Sequence, residues 1–180
     1  PEQPFLLVLG GQRSTRDQAS LQEMFTRQAE GLGLPTAVLD QNLIAGDELY
    51  QTLLGRYLAK GKLAVWLGDR MDTPVQAAFR AFLAQGGKLL LASAVLGSST
   101  DIKEFMREQV HVAAMQTTNQ RSMIRSADAL EGVRAEATVA HGMFDLAPPA
   151  LPVLRDARGE VAGLRVDTGA YRLVYLPFEL

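Results

Sequence analysis

The sequence has no cysteine among its 180 residues, which excludes disulfides, thiolate metal sites and a cysteine nucleophile. It also has no apolar run near the roughly 18 residues that a membrane-spanning helix needs. Its opening, PEQPFLLVLGG, has no basic segment before the short apolar stretch, so as it stands it is not a signal peptide. Basic residues are scattered and the formal net charge is -2, so we expect no nucleic-acid partner.

The composition is that of an ordinary globular protein, with 47% hydrophobic and 21% charged residues. A chain of this length can bury one sizeable core but is short for two typical domains, so we predict a single domain over residues 1–180. The chain begins with proline and ends with Leu180 directly after an apolar run. We therefore expect it to be a processed form or an excerpt from a larger parent protein.

The first part of the chain alternates short apolar runs with amphipathic segments. The runs are continuous rather than alternating, which is typical of strands buried on both faces: PFLLVLGG, TAVLD, KLAVWLGD and KLLLASAV. Helical spacing follows each run, most clearly after Thr73, which we expect to cap a helix that has Pro74 in its first turn. Four such units predict an α/β three-layer sandwich with a mostly parallel, flavodoxin-like central sheet.

Beyond residue 110 the pattern changes. VHVAAM suggests one more strand, whereas the following polar stretch, from TTNQRSMIRSAD onward, predicts loops and short strands. Within it, Arg121 and Arg125 are spaced to share one face of a helix, which points to an acidic partner. After the turn-rich APPALP, three runs separated by DARG and DTGA predict a C-terminal β-hairpin region, with the last run returning into the main sheet: PVLRD, EVAGLRVD and YRLVYLPF.

Three stretches carry a resemblance to a known family: KLAVWLGDRMDTP, AFLAQGGKLLLAS and YRLVYLPFEL. In this order they resemble class I glutamine amidotransferase-like domains, especially the degenerate versions inside larger, exported or surface-associated bacterial proteins. The resemblance implies an amidotransferase-like fold, a partner that is the rest of a parent protein or another protein, and an exported or cell-surface setting.

The chain departs from that family at both catalytic positions. Active members carry a cysteine on a tight turn after the Gly-Gly-strand feature, whereas this chain reads LASAVLGSS, with Ser93 and Ala94 nearest. The family also has a His and a Glu two residues apart after a late strand, and here Glu179 is present but Pro177 occupies the histidine position. The resemblance therefore implies a non-catalytic domain with no catalytic residue, no cofactor and no metal.

Ligands of open parallel sheets bind at the carboxyl ends of the strands, where loops meet helix N-termini. The residues that this rule collects as a candidate ligand crevice are Gly11, Arg13, Ser14, Asp69, Ser93 and Ser98. Three alternatives stay open there. Ser93 could act as a hydrolase nucleophile with His111 or His141 as base. Carboxylates of Asp40, Asp69 and Asp72 could hold a metal, and the loop GGQRST could bind phosphate or a flavin.

Overall fold

The computed structural model describes residues 5–10, 15–44, 46–68, 70–93, 102–127 and 134–177. Four α-helices and nine strands are described within those ranges. The helices are α1 (Thr15–Gly31), α2 (Asp47–Lys60), α3 (Thr73–Ala84) and α4 (Lys103–Phe105), with a 3-10 turn at Gln41–Leu43 and a π-helix at Met106–Val110. The strands are β1 (Phe5–Gly10), β2 (Thr36–Asp40), β3 (Leu63–Gly68), β4 (Lys88–Ala92), β5 (Val112–Ser126), β6 (Arg134–Leu146), β7 (Ala150–Arg155), β8 (Val161–Asp167) and β9 (Arg172–Leu176).

The described strands form one mixed sheet in the order β2-β1-β3-β4-β9-β8-β6-β5-β7. The first five strands in that order, β2 to β9, run parallel to one another. They include β1 to β4, the four strands predicted from the continuous apolar runs. β9 lies parallel to β4, with Lys88 opposite Arg172, so the last apolar run returns into the main sheet as predicted. The α/β prediction is confirmed in this half.

The remaining four strands are antiparallel, so the sheet is less parallel than we expected. The prediction of loops and short strands after residue 115 is wrong, because β5 and β6 are two long strands paired along most of their length. The physical reason is a two-residue alternation that the polar composition obscured. Ile124 is buried between the exposed residues Met123 and Arg125.

Helices pack on both faces of the parallel half. Leu21 of α1 packs in one cluster with Phe5 and Val65. α2 and α3 pack in another cluster, which takes Leu6 and Trp66 from the opposite face of β1 and β3. Successive strand residues point to opposite faces, and both sets are buried. This explains why the sequence of these strands is apolar without interruption.

The helical spacing of the apolar residues in α2 predicts a buried stripe made of Leu49, Leu53, Leu54, Tyr57 and Leu58. The buried stripe in the structure differs from it. Leu49 is 52% exposed, whereas Tyr50 is 2% exposed and lines up with Leu54 and Leu58. Residues four apart lie above one another on a helix, so Tyr50, Leu54 and Leu58 form the stripe. A tyrosine hydroxyl is therefore carried into the core near the carboxyl edge of the sheet.

The start of α3 is set by Asp72 rather than by Thr73. The Asp72 Oδ1 atom accepts a hydrogen bond from the backbone N–H of Val75 at 3.1 Å, and Pro74 lies in the first turn as predicted. None of the helices that the structure describes is long and apolar enough to cross a membrane.

Candidate functional site

The candidate crevice is the edge at which the five parallel strands end. Of the six residues assigned to it from the sequence, only Ser93 is described. The other five lie outside the described residues: Gly11, Arg13, Ser14, Asp69 and Ser98. The described part of this edge is formed by the ends of β1, β2, β3, β4 and β9 and by the start of α3.

Ser93 directly follows β4 and is fully buried, with 0% of its surface exposed. Its backbone N–H donates a hydrogen bond to the Leu176 carbonyl at 3.1 Å, so it prolongs the β4–β9 pairing. A nucleophile must meet its substrate at an exposed turn. The local geometry instead holds Ser93 as part of the packed sheet.

The residue after β9 is Pro177, which is also buried. Pro177 has no titratable group. Glu179 lies outside the described residues. The described end of β9 therefore supplies no base beside Ser93.

His111 lies at the other edge of the sheet. Its Nε2 atom is 3.3 Å from the hydroxyl of Tyr171, and that hydroxyl donates a hydrogen bond to the Gln109 carbonyl at 2.9 Å. Tyr171 precedes β9, whereas Ser93 follows β4, and these strands are parallel and in register. The five-residue strands β4 and β9 separate the level of Tyr171 from the level of Ser93 by roughly 16 Å. The structure therefore does not bring His111 to Ser93.

The second histidine lies further from the parallel strands in the order of the sheet. His141 is in β6 and lies opposite Thr117 of β5. In the sheet order, β8 and β9 separate β6 from β4, which ends beside Ser93. The described pairing of the strands therefore does not bring His141 to Ser93 either.

His111 makes the stability of the protein depend on pH. Burial lowers its pKa below the usual value, so the folded state favours the neutral ring and binds fewer protons than the unfolded chain. Its contribution is fully present above the unfolded pKa of about 6.5 and is lost as the pH falls from there toward the lower folded pKa. We expect the Tm to fall over this interval.

The matched variant is His111→Asn, because His111 has φ 57° and asparagine tolerates that left-handed backbone. Tm would be measured for both proteins above and below about pH 6.5. The wild type should lose more thermal stability on acidification than the variant. Equal losses would show that His111 does not carry the effect.

A second group of residues lies near the ends of β2 and β3. Asp40 ends β2, and its Oδ1 atom accepts hydrogen bonds from the backbone N and the Nδ2 atom of Asn42 at 2.9 and 3.2 Å. Asp72 caps α3, as described above. Burial, followed by the charges of Asp72 and Asp40, raises the pKa of the Tyr50 phenol. Tyr50 therefore stays neutral beside two carboxylates.

The Tyr50 hydroxyl is buried and has no hydrogen-bond partner in the part of the chain that the structure describes. A buried donor without a partner is costly, so this hydroxyl is a group that an internal water molecule would stabilise. Sequence reasoning missed Tyr50 because it followed the Leu49 face of α2. The spacing to Leu54 and Leu58 was the signal that could have found it.

The metal alternative involved Asp40, Asp69 and Asp72. Asp40 and Asp72 each act as a cap in the structure, and Asp69 lies outside the described residues. No group of three or more His, Asp or Glu side chains suited to hold a metal occurs among the residues described.

No protein-family model matches this sequence, and no curated protein matches it. The fold is nevertheless similar to solved structures that align over nearly the whole chain. One is exo-β-1,4-mannosidase Op5Man5 from Opitutaceae bacterium strain TAV5, with a TM-score of 0.63, 10% identity, and 98% of this chain and 31% of that chain covered. This chain therefore spans just under a third of the mannosidase.

Two other similar structures are shorter proteins. A putative ThuA-like protein from Parabacteroides merdae aligns with a TM-score of 0.58 and 13% identity over 98% of this chain and 79% of that chain. A putative GMP synthase subunit from Thermoplasma acidophilum aligns with a TM-score of 0.60 and 11% identity over 99% of this chain and 84% of that chain. At such identities the likeness establishes the fold alone.

Proposed function

We propose that this chain is a non-catalytic, amidotransferase-like domain that serves interaction or ligand binding within a larger protein. The observation that carries the proposal is the complete burial of Ser93 at the end of β4. In the amidotransferase-like arrangement this is the region from which the nucleophile is presented. Ser93 follows β4, and Pro177 follows the neighbouring strand β9. A buried serine beside a proline is suited to packing and not to acyl transfer.

The structural likenesses support the architectural part of the proposal. The ThuA-like protein and the GMP synthase subunit share the fold, and in the mannosidase the matching region is part of a much longer chain. The amidotransferase resemblance implies a domain of this kind inside an exported or cell-surface protein. The net charge of -2 and the scattered basic residues favour a partner other than nucleic acid. The helices on both faces of the parallel strands suit the three-layer arrangement of such domains.

The ligand-binding part of the proposal falls on the crevice. The described groups near it are the capping carboxylates Asp40 and Asp72 and the buried, neutral hydroxyl of Tyr50. The candidates from the sequence that lie outside the described residues remain part of the proposal: Gly11, Arg13, Ser14, Asp69 and Ser98.

The proposal predicts that the purified protein neither hydrolyses glutamine nor reacts with a fluorophosphonate probe. Glutamate release and probe labelling would be measured beside an active amidotransferase and an active serine hydrolase as positive controls. The matched variant is Ser93→Ala, with circular dichroism to show that it is folded. Stoichiometric labelling of the wild type that disappears in folded Ser93→Ala would contradict the non-catalytic assignment, and so would glutamine turnover above the variant's background.

A further inference from the structure

Three adjacent strands of the antiparallel half place an arginine at the same level. Arg125 of β5 lies opposite Arg134 of β6 and also opposite Arg155 of β7. Directly opposed residues of an antiparallel pair share a face, with Cβ atoms about 5 Å apart. Three cationic side chains therefore lie side by side, and we call Arg134, Arg125 and Arg155 the arginine row.

The arginine row lies on the outer face of the sheet. Arg125 and Arg134 are exposed and Arg155 is partly buried. The neighbouring residues Ile124 and Leu154 point to the other face, where they are 2% and 7% exposed and pack together in a core cluster. In β5 the alternation thus separates the packed Ile124 from the exposed Arg125.

Within the described residues, little negative charge compensates the row. Further along the same face, Arg121 is paired with Glu136 through contacts of 2.9 and 3.1 Å. The Arg155 Nη1 atom donates to the Gly159 carbonyl at 2.7 Å. In the described ranges no acidic side chain forms an ion pair with Arg125 or Arg134.

Such an arrangement opposes folding. Like charges directly opposite one another in a sheet are destabilising, and here two such contacts share Arg125. Proteins keep residues that lower the stability of the fold mainly where those residues serve a function. The row is therefore better explained by something that it binds than by the packing of the domain.

We infer that the arginine row is a docking site for an acidic segment of a protein. A guanidinium group matches a carboxylate with two parallel hydrogen bonds. The row spans about 10 Å across three strands, which accommodates two or three Asp or Glu side chains of an extended segment. The inference rests on the proposed interaction role and names the class of partner.

Features around the row favour a protein over a nucleic acid. Met123 lies on the same face between Arg121 and Arg125 and is 52% exposed. Arginine and methionine together are enriched in protein interfaces. The exposed Glu136 and the net charge of -2 would repel a continuous phosphate backbone, whereas a short acidic segment needs only the row.

The test is binding of a fluorescein-labelled peptide of about six glutamates to the full chain, followed by anisotropy at low salt. The probe should bind, and the same peptide with glutamines should not. Arg125→Thr removes the centre of the row and places a good strand former there. It should weaken binding by about tenfold. Its Tm should be unchanged or higher than that of the wild type, because a repulsive contact is gone.

The matched control is Arg165→Thr, which removes an exposed strand arginine outside the row. It should leave binding within about twofold of the wild type. The inference is overturned if the control weakens binding as much as Arg125→Thr. It is equally overturned if the wild type fails to bind the glutamate peptide, or if oligo-dT binds more tightly with the same dependence on Arg125.

Two further outcomes also decide the matter. A lower Tm in both Arg125→Thr and Arg134→Thr would assign the row a structural role instead. If the wild type fails to bind but Asp128→Asn/Glu131→Gln binds the peptide, the row is neutralised by the chain's own connecting segment, and the inference is wrong. None of these results bears on glutamine hydrolysis or probe labelling, so a failure here is distinct from a failure of the non-catalytic assignment.

Discussion

Replacing Trp66 by alanine is expected to lower the free energy of unfolding by about 3–5 kcal/mol. Trp66 is fully buried in β3, between β1 and β4 at the centre of the parallel strands. Its ring meets the ring of Phe79 edge-on, with centroids 5.7 Å apart and planes at 80°. Removing it loses the buried aromatic surface, leaves a cavity between sheet and α3, and abolishes this ring contact.

Trp66→Phe is the informative companion to that variant. The indole Nε1 atom has no hydrogen-bond partner among the described residues, so phenylalanine sacrifices no hydrogen bond and keeps the contact with Phe79. It should cost about 1–2 kcal/mol, mainly from the smaller volume. Because Trp66 is the only tryptophan, urea unfolding should be followed by far-UV circular dichroism. A loss in Trp66→Ala no larger than in Trp66→Phe would show that the core collapses around this site.

Replacing Gly87 by alanine is expected to lower the free energy of unfolding by about 1–3 kcal/mol, through overpacking. A Cβ atom at this position would lie 2.5 Å from Cε1 of Phe82 and 2.6 Å from its Cδ1 and Cζ atoms. The backbone cannot retreat freely, because the Gly87 N–H donates to the Phe82 carbonyl at 3.0 Å. Phe82 is itself 4% exposed, so its ring has little room to move.

The control for Gly87→Ala is Gly55→Ala in the middle of α2. Nothing lies within 4 Å of a Cβ atom at Gly55, and alanine is the better helix former. That variant should be more stable than the wild type by about 0.5–1 kcal/mol. Urea titrations of both variants measure whether each change lowers or raises the free energy of unfolding. Combining Gly87→Ala with Phe82→Leu should recover part of the loss, and strict additivity of the two changes would argue against the contact.

The strand-and-helix order of the parallel half could be predicted because its signals are local. Continuous apolar runs identified β1 to β4, and YRLVYLPF was long and apolar enough to suggest a return to the sheet, which pairing with Lys88–Ala92 confirms. The antiparallel half was underestimated. Polar residues in β5 obscured a two-residue alternation that becomes clear only when Ile124 is seen in the core.

The candidate site was harder to predict, because its residues meet through the fold. The rule that ligands bind at the carboxyl ends of parallel strands located the edge, but it could not show that Ser93 is buried or that Tyr50 turns inward beside Asp40 and Asp72. It also could not place His111 at the opposite edge, because that depends on where β9 begins relative to β4.

The sequence by itself determined the class of the fold, the strands of its parallel half and the absence of cysteine chemistry, because these depend on composition and on short-range periodicity. Only the tertiary structure decided which residues stand beside one another. The spacing of Arg121 and Arg125 suggested one face of a helix, which is wrong because both lie in the strand β5. The row formed by Arg125, Arg134 and Arg155 is a product of strand register. Register is fixed by pairing between segments that are far apart in the chain, and no local pattern contains that information.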